Sequence, residues 1–274
     1  MGLLNDKYVG NKGLLNEAEL AQIDNHLQEV TYRTAKEIIA FFEEEFNETY
    51  SVSGVHKLVK RLGFVYKKPQ RRPAKLDVKA QEAFIEYYHK LSKKLGKNDH
   101  LCFMDAVHPQ HETSINYGWI KRGETKEIFT PAVQKRLNIQ GVVDIKRLDI
   151  ITCFQIEMVT AETVKDFLEF LRKKKPTGWI YLICDNAGYY DNNEVRAYAK
   201  SMAIKLIYLP AYSPNLNLIE RIWLYFKKTV LYNRYYASFV EFEAACRAFF
   251  RKPHRHKPHL KTLLTEKFQR FATA

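Results

Sequence analysis

An α/β fold preceded by a small helix-turn-helix, winged-helix-like region is predicted, on three observations. Two short apolar runs, His100–Val107 and Trp179–Cys184, have the continuous hydrophobicity of strands buried on both faces. Those runs alternate with segments of 3.6-residue periodicity, giving strand, helix, strand, helix, strand, the order of parallel strands joined by right-handed crossovers. Residues 1–16 show little periodicity and no capping signal, and helical periodicity with capping signals follows between Thr34 and Gly63. The chain therefore divides into 1–16, a linker or cut edge; 17–74, the helix-turn-helix region; 75–97, a connecting helix; and 98–274, the α/β domain.

Each element has its own warrant. Thr34-Ala-Lys-Glu37 is a capping box that opens a helix running through Phe46, with Ile38, Phe41, Phe42 and Phe46 on its apolar face. Ser51 or Ser53 caps a second helix whose Val55, Leu58, Val59 and Leu62 follow the i, i+3, i+4, i+7 rule, and Gly63 ends it. Phe64–Pro69 behind it reads as a wing. Lys75–Lys97 is helical and basic. Strand-like pieces follow His100–Val107 at 117–121, 126–130, 141–145 and 149–159. Thr160 caps a helix carrying Val164, Phe167, Leu168 and Leu171; Asp191-Asn-Asn-Glu194 is a capping box for another; Lys205–Pro210 is a strand. Ser213, with Pro214 at the first helical position, opens the helix whose stripe is Ile219, Ile222, Trp223, Phe226 and Val230.

Composition narrows the function classes. With 46% hydrophobic and 14% aromatic residues the chain is a packed protein, not a disordered tail. No run approaches the roughly 20 apolar residues of a membrane span, and no signal pattern opens the chain, so a cytoplasmic protein is expected. Cys102, Cys153, Cys184 and Cys246 form no Cys-x-x-Cys pair, which argues against a zinc ribbon or redox motif and for small buried hydrophobes in a reducing compartment. A formal charge of +13 calls for a polyanionic partner. Between Val55 and Lys79 nine Lys or Arg stand against one acid, Asp77. Ser53, His56, Lys57, Lys60, Arg61, Lys67, Lys68, Arg71 and Arg72 thus form the candidate DNA-binding set, a recognition helix followed by a basic arm along the phosphates of double-stranded DNA.

Two carboxylates sit where carboxylates are costly. Asp105 interrupts one apolar strand and Asp185 ends another, and a buried, unpaired carboxylate costs several kcal/mol unless a proton, a basic partner or a metal neutralises it. Glu220, beside the apolar stripe of the later helix, is the third candidate. An oxygen-only ligand set without His or Cys matches Mg²⁺ or Mn²⁺ and argues against zinc. Two ions roughly 3.5–4 Å apart can activate a water or 3′-hydroxyl and stabilise the leaving oxygen of a phosphodiester. Asp105 is expected to bridge them, with Asp185 and Glu220 completing one side each. His108, Asn186, Arg221 and Lys227 are candidates for positioning substrate. The run Arg251–His259, with His254, His256 and His259 among Arg, Lys and Pro, reads as a phosphate-contacting or solvated loop and not as a metal site.

Thirty-four residues separate Asp185 from Glu220, and Leu209-Pro-Ala-Tyr-Ser-Pro-Asn-Leu-Asn-Leu-Ile-Glu-Arg-Ile-Trp223 resembles a signature of the mariner-like DDE transposases, in particular their bacterial insertion-sequence branch. Cys184-Asp-Asn-Ala187 is similar to that family's second-Asp motif. Met104–Gln110, with Tyr117–Gly123, is similar to its first-Asp strand and following hairpin. The resemblance spans roughly residues 17 to 272. It implies an RNase H-like mixed sheet flanked by helices, cleavage at the inverted-repeat ends of a mobile element and transfer of the 3′-hydroxyl into a TA target. Joining two ends requires two active sites, so a homodimer on DNA, associated with the nucleoid, is expected. Leu218 stands where the family has Pro. The branch also carries a first helix-turn-helix, and this chain begins where the linker after it is expected. The alternative reading is a catalytically silent or truncated DNA-binding protein occupying element ends; a third is an RNase H-like nuclease of hybrids or junctions.

Overall fold

The computed structural model describes residues 14–69, 72–132, 135–155 and 160–271. The chain divides into two compact units, Met1–Arg71 and Arg72–Ala274.

The first unit holds three helices, α1 (Glu17–Glu29), α2 (Ala35–Phe46) and α3 (Val52–Arg61). Asn16 caps α1 in a reciprocal box with Glu19. Thr34 caps α2, while the Glu37 carboxylate reaches back to the backbone of Arg33, one residue before the cap. Asn47 closes α2 in the left-handed region, with φ 53°. Ser51, not Ser53, caps α3 by accepting from the Gly54 N–H, and Gly63 takes φ 89° just after it, a conformation that glycine adopts at little cost. Leu15, Ile23, Phe42, Val55 and Leu58 form the core where the three helices meet. The expected wing carries no strand over residues 64–69. Val65 and Tyr66 are exposed there, so no burial rewards a ladder.

In the second unit a five-stranded sheet runs in the order β3-β2-β1-β4-β5. Strands β1 (His100–Val107), β2 (Asn138–Asp144) and β3 (Asp149–Gln155) form an antiparallel meander. Strands β4 (Ile180–Cys184) and β5 (Ile204–Tyr208) add parallel to the other side of β1. The crossovers are α5 (Ala161–Lys174) and α6 (Asn193–Ser201). Side-chain alternation divides the core in two. Cys102, Met104, Leu182 and Cys184 meet Val164, Phe167, Leu171 and Val195 of α5 and α6. Leu101, Phe103 and Ile183 meet α4 (Val78–Lys94), α7 (Ile219–Phe226) and α8 (Phe239–Arg251) on the opposite face. Phe84, Ile85 and Tyr88 of α4 enter that core, so the expected connecting helix is an integral layer of the second unit.

Several local expectations are corrected. Residues 117–121 and 126–130 form no strands: Tyr117, Trp119, Ile120 and Phe129 are exposed, and the segment is tied at Thr113 to the Phe129 carbonyl and at Asn116 to the Asn233 side chain. The cap of α6 is Asn192, one residue beyond Asp191. Pro214 begins a separate 3-10 turn, Pro214–Leu216, with no side-chain cap; the Ser213 hydroxyl instead accepts from the Gln81 amide and donates to the Ala211 carbonyl. The expected loop at 251–259 is the end of α8, a 3-10 turn at Pro253–His256 and α9 (Lys257–Leu263). The end of the strand expected to reach Val159 lies outside the described residues. Among the described residues no helix is long and apolar enough to cross a membrane.

Candidate active site

The two aspartates arrive side by side through strand register. In the parallel pair β1–β4, Phe103 stands opposite Ile183. Two residues further along each chain come Asp105 and Asp185. Alternation puts both on the face of Leu101, Phe103 and Ile183, the face that α7 covers. Asp185 lies one residue past the end of β4, where its carboxylate accepts from the Ala187 N–H at 3.1 Å.

Glu220 is in the first turn of α7. The Asn217 amide donates to the Met104 carbonyl at 3.4 Å, and the Trp223 indole N–H donates to Asp105 Oδ2 at 3.1 Å. These two contacts lay the first turn of α7 against the β1 residues around Asp105, and Glu220 stands between them in sequence. The Leu218 departure leaves this intact: the chain enters α7 from helical backbone, with the Glu220 N–H donating to the Asn217 carbonyl at 3.1 Å.

The electrostatics follow from that layout. Burial, then the charge of Glu220, then that of Asp185 push the Asp105 carboxyl up to about 7, against the pull of the Ala106 backbone and Trp223 hydrogen bonds. Among the described residues the ion pairs of other aspartates lie elsewhere, at Asp144, Asp149 and Asp191. Among the described residues none of Asp105, Asp185 and Glu220 has an ion-pair partner of its own, and the charges of the other two act on Asp105. They are not gathered into a ready-made cage: among the described residues no three His, Cys, Asp or Glu side chains are close enough to hold one ion together. The donor chemistry nonetheless fits a hard divalent cation, being carboxylate oxygen only, in excess negative charge.

The remaining candidates divide. His108 is exposed at the end of β1, its Nδ1 2.7 Å from the Asn138 side-chain oxygen. The Asn186 amide donates to the Leu209 carbonyl at 2.9 Å, bracing the loop after β4 against the end of β5. Arg221 is engaged by the C-terminal segment: its guanidinium donates to the carbonyls of Leu263, Thr265 and Lys267, each at 2.8 Å. Lys227, half-buried, opens the π-helical turn Lys227–Leu231 that continues α7. His256 stacks on Phe249 and contacts its carbonyl, a packing role. In the first unit Ser53, His56, Lys57, Lys60, Arg61, Lys67 and Lys68 are exposed, as is Arg72 at the start of the second; Arg71 lies outside the described residues. Trp223, read from sequence as core, and Asn217 and Gly141 were not singled out as site residues. A glycine within a strand is the signal that could have marked the last.

Comparison with known proteins places this geometry. Residues 100–243, more than half of the chain, match the family described as DDE superfamily endonuclease. Residues 29–88 match a winged helix-turn-helix family. A 155-residue stretch is 24% identical to the insertion element IS630 uncharacterized 39 kDa protein of Shigella sonnei, covering 55% of this chain and 44% of that protein. The chain thus spans less than half the length of this curated relative. Among solved structures, the Mos1 mariner paired end complex with Mn is similar with a TM-score of 0.64 at 17% identity, covering 98% of this chain and 83% of that one. The Mos1 transposase paired-end complex with left transposon end gives 0.62 at 16%, covering 96% and 83%. These likenesses bear out the RNase H-like fold and the mariner-like resemblance read from the motifs. With Asp105, Asp185 and Glu220 inside the span or motifs so matched, the chain belongs to the DDE superfamily of endonucleases.

Proposed function

We propose that this chain is a transposase that hydrolyses a phosphodiester at the inverted-repeat ends of a mobile element and uses the freed 3′-hydroxyl to attack target DNA at a TA step. The observation that carries the reading is the meeting of Asp105 and Asp185 at the ends of adjacent parallel strands, with Glu220 near enough for its charge to act on Asp105. Asp105, Asp185 and Glu220 would hold two divalent ions, Mg²⁺ or Mn²⁺. When bound, such ions activate the attacking oxygen and stabilise the leaving one. The protein's own part is to bring Asp105 and Asp185 side by side through the β1–β4 register and to set Glu220 in the first turn of α7, where its charge acts on Asp105. No Ser, Tyr or Cys nucleophile is required, because both steps are in-line displacements.

DNA binding is assigned to the first unit and its basic arm. His56, Lys57, Lys60 and Arg61 lie on the solvent side of α3, opposite buried Val55 and Leu58, and Ser53, Lys67, Lys68, Arg71 and Arg72 extend the set along the phosphates. His108, Asn186 and Lys227 are proposed to position the strand near the carboxylates. Joining two ends takes two active sites, so the working form is a homodimer on DNA. The similar Mos1 structures are of a paired-end complex with a transposon end, and of complexes with Mn and with Mg. The test is a labelled duplex carrying the element's own ends, incubated with Mn²⁺ and either the parent chain or Asp185→Ala. Cleavage by the parent alone is expected; equal cleavage by both overturns the site, and DNA binding without cleavage by either favours the silent DNA-binding reading.

A further inference from the structure

A buried tryptophan touches the central carboxylate of the site, and a glycine makes room for it. Trp223 is 1% exposed, and its indole N–H donates to Asp105 Oδ2 at 3.1 Å. Across the β1–β2 ladder Asp105 stands opposite Gly141. A Cβ at Gly141 would lie 2.4 Å from Trp223 Cη2 and 2.9 Å from Cζ2, closer than atoms pack. The six-membered edge of the indole therefore occupies the space that any other residue at 141 would fill. Phe250 meets the ring edge-on at a centroid distance of 6.0 Å, and the Asn217 amide holds the first turn of the same helix to the Met104 carbonyl.

We propose that Trp223 is a positioning residue for Asp105: its N–H fixes the plane of the carboxylate, leaving the other oxygen to the metal site, and Gly141 is the slot that sets the ring. The chemistry of the donor supports this. An indole N–H donates and cannot accept, so it binds a carboxylate oxygen in one sense only. It is neutral, so it orients Asp105 without cancelling the negative charge that attracts a cation, which a Lys or Arg in its place would do. Core packing alone asks only for a large ring, which Phe also supplies; the N–H is the part packing does not need.

The inference rests on the metal-site reading, and its test separates the two. Mn²⁺ binding is measured directly, by electron paramagnetic resonance of free ion, in the parent, Asp105→Asn, Trp223→Phe, Gly141→Ala and the Gly141→Ala/Trp223→Phe double variant. The parent is expected to bind Mn²⁺ in an Asp105-dependent manner. Trp223→Phe is expected to weaken that binding about 10- to 100-fold, the usual effect of removing a partner that orients a metal ligand. Phe lacks the two atoms that a methyl group at position 141 would strike. The double variant should therefore regain the thermal stability that Gly141→Ala loses, without regaining affinity. Parent-like affinity in folded Trp223→Phe, or in the double variant, overturns the positioning role and leaves the metal site standing. Absence of Asp105-dependent binding in the parent overturns the metal site and the positioning role together. Should Trp223→Phe fail to fold, a chain with Trp119→Phe and Trp179→Phe keeps Trp223 as the sole indole of three. Its emission should be quenched by Mn²⁺, and Asp105→Asn should abolish the quench; unchanged emission at saturating Mn²⁺ refutes the contact.

Discussion

Asp144→Asn is expected to destabilise the second unit far more than Asp149→Asn, although both remove one carboxylate from the same ion cluster. Asp144 ends β2 with no solvent exposure. One of its oxygens meets His100 Nδ1 at 2.7 Å, Lys175 Nζ at 3.0 Å and Arg147 Nη1 at 3.3 Å, and the other accepts from the Arg147 backbone. Lys175 is itself 5% exposed, and its second partner, Asp149, is half open to solvent at 3.4 Å. Removing the Asp144 charge strands a buried ammonium, a loss of about 3–5 kcal/mol. Removing Asp149 deletes an outer, screened contact worth under about 1 kcal/mol. For a unit of this size each kcal/mol moves the melting temperature by about 2–4 °C, so the variants should differ by about 4–20 °C in thermal unfolding followed by circular dichroism. The cluster also sets acid sensitivity. Burial, reinforced by Lys175 and Arg147, holds the His100 pKa below its ordinary value despite Asp144. The unfolded chain therefore binds that proton first, and stability falls as pH drops through the mid-6 range. Although burial opposes it, hydrogen bonds and charges from His100 and Lys175 hold Asp144 below the ordinary carboxylate range, so a second loss follows below about pH 4. Equal losses in the two variants, or a cost under about 1 kcal/mol for Asp144→Asn, would refute the reasoning.

Other expectations follow from the same geometry. Asp105→Asn removes a half-buried charge repelled by Glu220 and Asp185, so it should raise the melting temperature of the metal-free protein in EDTA by about 2–6 °C while abolishing Mn²⁺-dependent cleavage; a lower melting temperature counts against the repulsion. Replacing Lys57, Lys60 and Arg61 together by Ala should weaken binding to any duplex and reduce the slope of log affinity against log salt by about 3, read from fluorescence anisotropy across a salt series. An unchanged slope would remove α3 from the interface. Of the four cysteines, Cys102, Cys184 and Cys246 are fully buried, and burial pushes the Cys246 thiol up to about 12 and the other two well up. Native protein treated with iodoacetamide should be labelled first at half-buried Cys153, as peptide mass spectrometry would show.

What could be read in the sequence was local or strongly periodic. Thr34, Ser51 and Thr160 announce their helices because a cap is a short-range interaction, complete within four residues. Asn16 and Glu19 carry the same signal for α1, although residues 1–16 read as a linker or cut edge with no capping signal; the box is visible only once Asn16 is paired with Glu19 across that boundary. Asp105 and Asp185 stood out because a carboxylate in an apolar run is anomalous in one dimension. The meander was harder: β2 is buried along its whole length, and nothing local says that it returns antiparallel beside β1. The apolar residues at 117–120 misled for the opposite reason, since alternation signals a strand only where one face is covered, and here neither is. Trp223 could be assigned to the core but not to the site, because its partner lies 118 residues away, in a strand whose register against β2 only the folded chain defines.

Two acidic positions, Asp105 in β1 and Asp144 opposite the start of β1 on β2, are treated by the fold in opposite ways, and the contrast bears on function more than either position alone. Near the start of β1, Cys102 pairs with Asp144, whose charge is met by a lysine, an arginine and a histidine within 3.3 Å. Near its end, Asp105 faces a glycine and an uncharged indole, with two more carboxylates acting on it. One sheet thus shows that this chain can neutralise a buried acid with its own side chains, and that among the described residues no ion pair does so at Asp105. A carboxylate left uncompensated at a cost of a few kcal/mol is a burden that packing does not explain, whereas a site intended for cations requires it. The only polar side chain donating to Asp105 among the described residues is also one that leaves its charge in place, which is the arrangement expected if orientation, and not neutralisation, is what the surrounding fold supplies.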